Sequence, residues 1–207
     1  MSVCGFSELR TTNALLAIAS LIIFTAADAR AATERYDVDP DHSIVGFSVV
    51  HMMVSKITGR FTDYNGFIEM DPGAKTVKAI EAVIQTTSVS TNHVKRDTHL
   101  KSPDFFNVEK FRTMTWKMRS YEKQGDKYVA KGDLTLLGVT KEVVLTGTLN
   151  GLVPKDFAGN TRAGFTAHGK INRKDFGMNW SKSLDNGGLV VGDEVDINLE
   201  IEVIKQK

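Results

Sequence analysis

The chain has 207 residues and a formal net charge of +1, from 26 Lys and Arg against 25 Asp and Glu. That length allows one domain and little more, and so even a balance leaves no electrostatic footprint for nucleic acid or an anionic membrane. The single cysteine, Cys4, excludes a disulfide framework.

In chain order, the first element is a leader. After Arg10, residues 14–27 form an uncharged, mostly apolar run, too short for the roughly 20 residues that cross a bilayer as a helix. The run has the length of a signal-peptide core, and Ala27, Ala29 and Ala31 follow at alternate positions. Cleavage after Ala29 or Ala31 satisfies the small-x-small rule; Ala31 is favoured, although Glu8 departs from a purely positive n-region. Residues 1–31 are thus expected to be a signal peptide and residues 32–207 the exported domain, with no stable membrane insertion after cleavage. The leader removes Cys4, two acids (Glu8, Asp28) and two bases (Arg10, Arg30), so the net charge stays +1. Cys4 precedes the apolar run and so is not a lipoprotein's lipid-attachment cysteine.

The remainder reads as β with one interruption. Apolar residues alternate with others at Val45, Phe47, Val49 and His51, then at Ile80, Ala82 and Ile84, and again at Met114, Trp116 and Met118. The period-2 pattern continues through Ala130, Gly132, Leu134 and Leu136, then Val143, Leu145, Gly147 and Leu149, then Ala163, Phe165, Ala167, Gly169 and Ile171. It is clearest at Val195, Ile197, Leu199, Ile201 and Val203. Residues 59–70 read as a further strand, with Asn65-Gly66 as a turn or bulge inside it. Turn signals at residues 71–73, 124–126 and 185–188 and a longer loop at 154–160 separate these runs. About eight strands joined by short links describe an antiparallel barrel or sandwich. Inward glycines at 132, 147 and 169 favour the coiling of a barrel, and an eight-stranded barrel can hold one slender ligand.

The interruption is residues 90–111. Ser90 or Thr91 can cap a short helix that ends before Pro103, and Val94, Leu100, Phe105, Phe106 and Phe111 give it an apolar side for one end of the sheet.

Catalytic constellations are absent from the pattern. There is no G-x-S-x-G elbow and no H-E-x-x-H. His93 and Asp97, four apart on a helix, make two ligands where a zinc site needs three, so no metal is expected. His51 shares the inward face with Val45, Phe47 and Val49, as a satisfied core histidine or a head-group contact. The rest of the predicted inner face is Phe47, Val49, Ile80, Ala82, Ile84, Trp116, Met118, Leu134, Leu136, Leu145, Phe165, Ile197 and Leu199.

Residues 85–106, QTTSVSTNHVKRDTHLKSPDFF, resemble the YceI-like family of periplasmic, polyisoprenoid-binding, lipocalin-like proteins. So do His42-Ser43, His51, Gly59 with Phe61, residues 132–141 (GDLTLLGVTK), residues 163–165 (AGF), residues 173–177 (RKDFG) and residues 192–195 (GDEV), across residues 34–207. The resemblance implies an all-β, eight-stranded antiparallel lipocalin-like barrel with a short helical insert at about residues 90–111. It also implies a bound long-chain lipid in place of any cofactor, and a periplasmic setting in keeping with the leader. The inward residues named above, His51 among them, would line the channel. Arg96, Asp97 and His99 match the family's helix motif, where they either meet a polar head group or brace the insert; bracing is the favoured reading.

The leading expectation is therefore non-catalytic binding, transport or sequestration of a polyisoprenoid, isoprenoid quinone or similar lipid. An interaction module serving a membrane redox protein comes second, and an enzyme acting on a lipid head group, with His51 or His99 as acid–base, third. A closed barrel leaves few strand edges, so any homodimer would form through side chains.

Overall fold

Period-2 sequence does become strand. The computed structural model describes Met1 and residues 33–74, 76–185 and 187–207; the expected signal peptide and its cleavage site lie outside the described residues. The strands are β1 (Glu34–Val38), β2 (Ile44–His51), β3 (Ser55–Phe61), β4 (Tyr64–Asp71), β5 (Thr76–Gln85), β6 (Val89–Ser90), β7 (Thr113–Gln124), β8 (Lys127–Leu136), β9 (Val139–Val153), β10 (Arg162–Asn172) and β11 (Val191–Lys205). One helix, α1 (Val94–Lys101), lies between β6 and β7.

All pairings are antiparallel, and β1 against β11 closes the ring, with Tyr36 opposite Lys205. β11 pairs with β1 near its C-terminus and with β2 over the rest of its length, so β1 and β2 form one broken stave. β3 with β4 and β5 with β6 form two more, which leaves an eight-staved barrel. The break between β1 and β2 is a proline effect. Pro40 opens a short 3₁₀ turn, and the Asp39 carboxylate accepts the Asp41 N–H.

Chain direction assigns the connections to two ends. One end carries the β2–β3 hairpin, residues 86–112, the β8–β9 turn and residues 173–190. The other carries the β4–β5, β7–β8 and β9–β10 connections. The β8–β9 turn is the two residues Leu137 and Gly138, both left-handed at φ 53° and 76°, the backbone that matches strand twist in a tight hairpin.

Two local expectations are corrected. Asn65-Gly66 is neither turn nor bulge: both pair regularly with Val83 and Ala82, and the stave breaks earlier, at Thr62-Asp63. The helix is shorter than the insert. Its N-cap is His93, whose Nδ1 accepts the Arg96 N–H, because Ser90 is still strand and the Thr91 hydroxyl is committed elsewhere. Val94 is not on the packed side; it is exposed.

Gly147 marks a close approach. A Cβ there would stand 2.4 Å from the Thr166 carbonyl oxygen on β10, where backbone must move to make room. Gly147→Ala is expected to lower stability by about 1–3 kcal/mol, read as a fall in the urea midpoint at unchanged m-value.

Candidate functional site

The barrel interior is not filled by its own side chains. A cavity of about 310 Å³ runs through it, from Leu100, Phe105, Phe106 and Met178 to Val77, Tyr121, Tyr128 and Leu149. The volume is at the lower end of the range for small-molecule sites. Many inward residues, including Phe47, Val49, Ile80, Leu145, Phe165, Ile197 and Leu199, are only half-buried within a closed ring. A filled core would cover them.

Of the sequence-predicted lining, Phe47, Val49, Ile80, Ala82, Ile84, Trp116, Leu134, Leu136, Leu145, Phe165, Ile197 and Leu199 border the cavity. Met118 and His51 do not. β7 slips register directly after Met118, which packs against the core instead, and His51 ends β2 immediately before the Met52-Met53 turn. The same slip explains a residue that alternation missed. Parity moves from even (Met114, Trp116) to odd, so Tyr121 reaches the cavity.

The wall suits apolar contact. The Trp116 indole lies over Gly132, where a Cβ would fall 2.4 Å from its Cζ2. Its Nε1 is buried without a hydrogen-bond partner among the described residues, at a cost of about 1–3 kcal/mol. Among the described residues, two charged ones border the cavity: Glu81 is paired with Lys117, and Arg173 has its donors spent on the carbonyls of Gly192, Met178, Trp180 and Val191 and on Asp193. At the opposite end, Tyr121 and Tyr128 stack at 5.5 Å. Burial, with Tyr128 alongside, pushes the Tyr121 phenol up to about 12, so it is neutral at physiological pH.

The insert closes one end. Phe106 meets Phe61 edge-on at 5.5 Å, and Phe105 lies 5.4 Å from Trp180. Arg96, Asp97 and His99 make protein contacts there and do not border the cavity. Arg96 donates to the Thr91 hydroxyl and carbonyl, while Asp97 accepts from the Thr91 N–H and hydroxyl. Burial pushes the Asp97 carboxyl up, but the Thr91 bonds outweigh it and the net shift is downward. The His99 ring packs edge-on against both Phe105 and Trp180, and its Nε2 is 2.8 Å from Asp104. Arg96 and Asp97 thus fix the helix to Thr91, directly after β6, and His99 ties it to the 173–190 connection.

Outside the channel, Asp39, His42 and Glu202 stand close enough to share a cation. The guanidinium of Arg162 already serves them, donating to Asp39 and Glu202 at 2.6 Å and to Asp156 at 2.6 Å. That contact, with the Asn160 and Ala158 N–H groups, holds the Asp156 carboxyl down at about 2. Asp39 is also lowered: its burial acts upward, and the Arg162 and His42 bonds prevail. Carboxyls with depressed folded values stabilise fully above their unfolded value of about 4 and lose that contribution as pH falls towards 2. Arg162→Met is therefore expected to flatten the acid limb of a urea-midpoint curve between about pH 4 and pH 2.

Comparison with known proteins agrees with this architecture. The YceI-like domain model matches residues 36–203. The chain belongs to the YceI-like domain family. It is 39% identical to Protein YceI of Shigella flexneri over 192 residues, covering 93% of this chain and 96% of that protein. Among solved structures it resembles the Campylobacter jejuni YCEI protein, at 33% identity and TM-score 0.66, covering 76% of this chain and 90% of the other. A polyisoprenoid binding domain from Saccharophagus degradans shares the YceI-like fold at 14% identity and TM-score 0.60, covering 83% and 98%. Among the described residues, no helix is long and apolar enough to cross a membrane.

Proposed function

We propose that this YceI-like protein is a non-catalytic container for one long-chain apolar lipid of the polyisoprenoid or isoprenoid-quinone class. It works in the periplasm after export and removal of residues 1–31. The observation that carries the reading is the under-filled apolar channel of about 310 Å³ inside a closed barrel. The structural likeness to the polyisoprenoid binding domain of Saccharophagus degradans supports the same ligand class.

Energetics favour such a ligand. Each buried CH₂ contributes about 0.8 kcal/mol, so a dozen carbons supply about 10 kcal/mol with no charged contact, and a longer chain exceeds association costs of about 4–15 kcal/mol. The channel-lining residues would meet the chain through dispersion and hydrophobic contact alone, while the Arg96–Asp97–His99 contacts hold the closed end in place.

The test is to purify the exported protein, denature it, extract with organic solvent and weigh what is released. One long-chain lipid per barrel is expected by mass spectrometry. Protein that yields none, and that fails to take up added prenol or quinone, overturns the reading. An untouched affinity for a membrane redox protein by such an empty barrel would favour the interaction module instead.

A further inference from the structure

We infer that the β9–β10 loop, residues 154–161, docks one end of the barrel on a lipid bilayer, with Phe157 as the inserting side chain. Phe157 is fully exposed. A lone exposed apolar residue is ordinary; the scaffold beneath this one is not. The Asp156 carboxylate accepts the N–H groups of Ala158 and Asn160 and the Nε–H of Arg162. The Asp156 N–H donates to the Asn160 carbonyl, the Gly159 N–H to the Asp156 carbonyl, and the Thr161 hydroxyl to the Pro154 carbonyl. Gly159 is left-handed at φ 83°. Such a turn is pre-set, and it holds the phenyl ring out in water.

Position gives the exposure a purpose. The loop lies at the same end as the β4–β5 and β7–β8 hairpins, where half-buried Tyr121 and Tyr128 border the cavity. Along β9, Leu149 lines the channel, and Leu152, opposite the inward Ala163, is exposed at the rim beside exposed Val153. Apolar side chains thus stand along β9 from the channel wall to the rim next to the loop. The proposal rests on the container reading, because a lipid too insoluble to diffuse through water must be loaded from a membrane.

The size and charge of the patch select a bilayer over a protein. A stable protein partner needs about 800 Å² from each side, more than one ring and two aliphatic side chains present. A fluid bilayer accepts apolar side chains singly. Lys155, two residues before Phe157, has no ion pair among the described residues, whereas the Asp156 carboxylate is taken up by the loop's own N–H groups and by Arg162, which Asp39 and Glu202 share. The loop therefore presents a cation beside the ring, the pairing that anionic lipid surfaces attract.

Flotation of the lipid-loaded protein with vesicles of equal parts phosphatidylcholine and phosphatidylglycerol tests this. Wild type is expected to float, less so with phosphatidylcholine alone. Phe157→Ser is expected to partition roughly ten- to hundred-fold more weakly, and Lys155→Glu to lose mainly the preference for phosphatidylglycerol. Stripped of lipid, both should keep the melting temperature of lipid-free wild type, and Phe157→Trp should add a blue-shifting emission on mixing with vesicles. The inference is overturned if wild type stays behind, if Phe157→Ser floats equally, or if that variant instead dissociates a dimer measured by light scattering. Its failure is separable from failure of the container, which shows as barrels that yield no lipid whether or not they float.

Discussion

Ala167→Phe is expected to empty the channel, lowering lipid recovered from purified protein at least tenfold, without unfolding the barrel. Ala167 borders the cavity from β10, between Gly147 on β9 and Leu199 on β11. A ring added there has no side chain facing it at Gly147 and enters space that is otherwise unfilled. In a close-packed core the same change would cost about 1–3 kcal/mol through off-rotamer side chains and backbone shifts. Here the variant should melt with empty wild type or slightly above it. Loaded wild type is different, since a ligand at about 100 times its Kd contributes roughly 2.7 kcal/mol. The variant should therefore melt roughly 5–10 °C below loaded wild type, at about 2–4 °C per kcal/mol for a chain of this size. Ala82→Phe, on another wall of the same cavity, should act alike. A variant that still releases one lipid per barrel sinks the container reading. A variant that unfolds without lipid shows that the interior was filled after all.

Much of the sheet was legible because one-sided burial writes itself into alternation. Val195 to Val203 fall within β11, Ala163 to Ile171 within β10, and Val143 to Leu149 within β9. The closure was not legible from periodicity, which left barrel and sandwich open. Closure is a pairing of Tyr36 with Lys205, contacts far apart in the chain that no local pattern encodes; the family resemblance supplied it. Asn65-Gly66 misled for a related reason. Its glycine answers a cross-strand approach, where a Cβ would stand 2.6 Å from the Glu81 carbonyl oxygen, and not a turn. Phe67, in the same stave, borders the cavity and was missed with it. Tyr121 hid behind a bulge, and Tyr128 lies at the edge of an alternation that became distinct only from Ala130 onward. Val94 looked like part of an apolar helix side, yet it is the first residue after the His93 cap and stands in water.

Arg173 belongs to a motif that carries the family resemblance, yet neither alternation nor spacing shows its weight, and its removal is expected to destabilise the fold most. It appears as one base within a polar stretch, yet it is 2% exposed. Its Nε donates to the Gly192 carbonyl at 2.9 Å, one terminal nitrogen to the carbonyls of Met178 and Trp180 at 2.6 and 2.7 Å, and the other to Asp193 at 3.0 Å. One guanidinium thus gathers the turn after β10, the 173–190 connection and the start of β11 over the closed end. Burial pushes the Arg173 pKa down and the Asp193 contacts act against it, but an arginine stays charged across the physiological range. Arg173→Met keeps much of the apolar bulk and strands those carbonyls and Asp193 without their donor. Breaking a buried, fully bonded cation in this way costs about 3–5 kcal/mol, or roughly 6–20 °C in Tm for a domain of this size. Arg173→Lys should recover only part, because an ammonium cannot reproduce the planar fork that reaches carbonyls on both sides. Limited proteolysis should then cut first within residues 177–190, and lipid should leak from the closed end. If Arg173→Met melts within a degree or two of wild type, the guanidinium is not what holds that end shut, and the aromatic contacts of His99 and Phe105 with Trp180 would have to suffice alone.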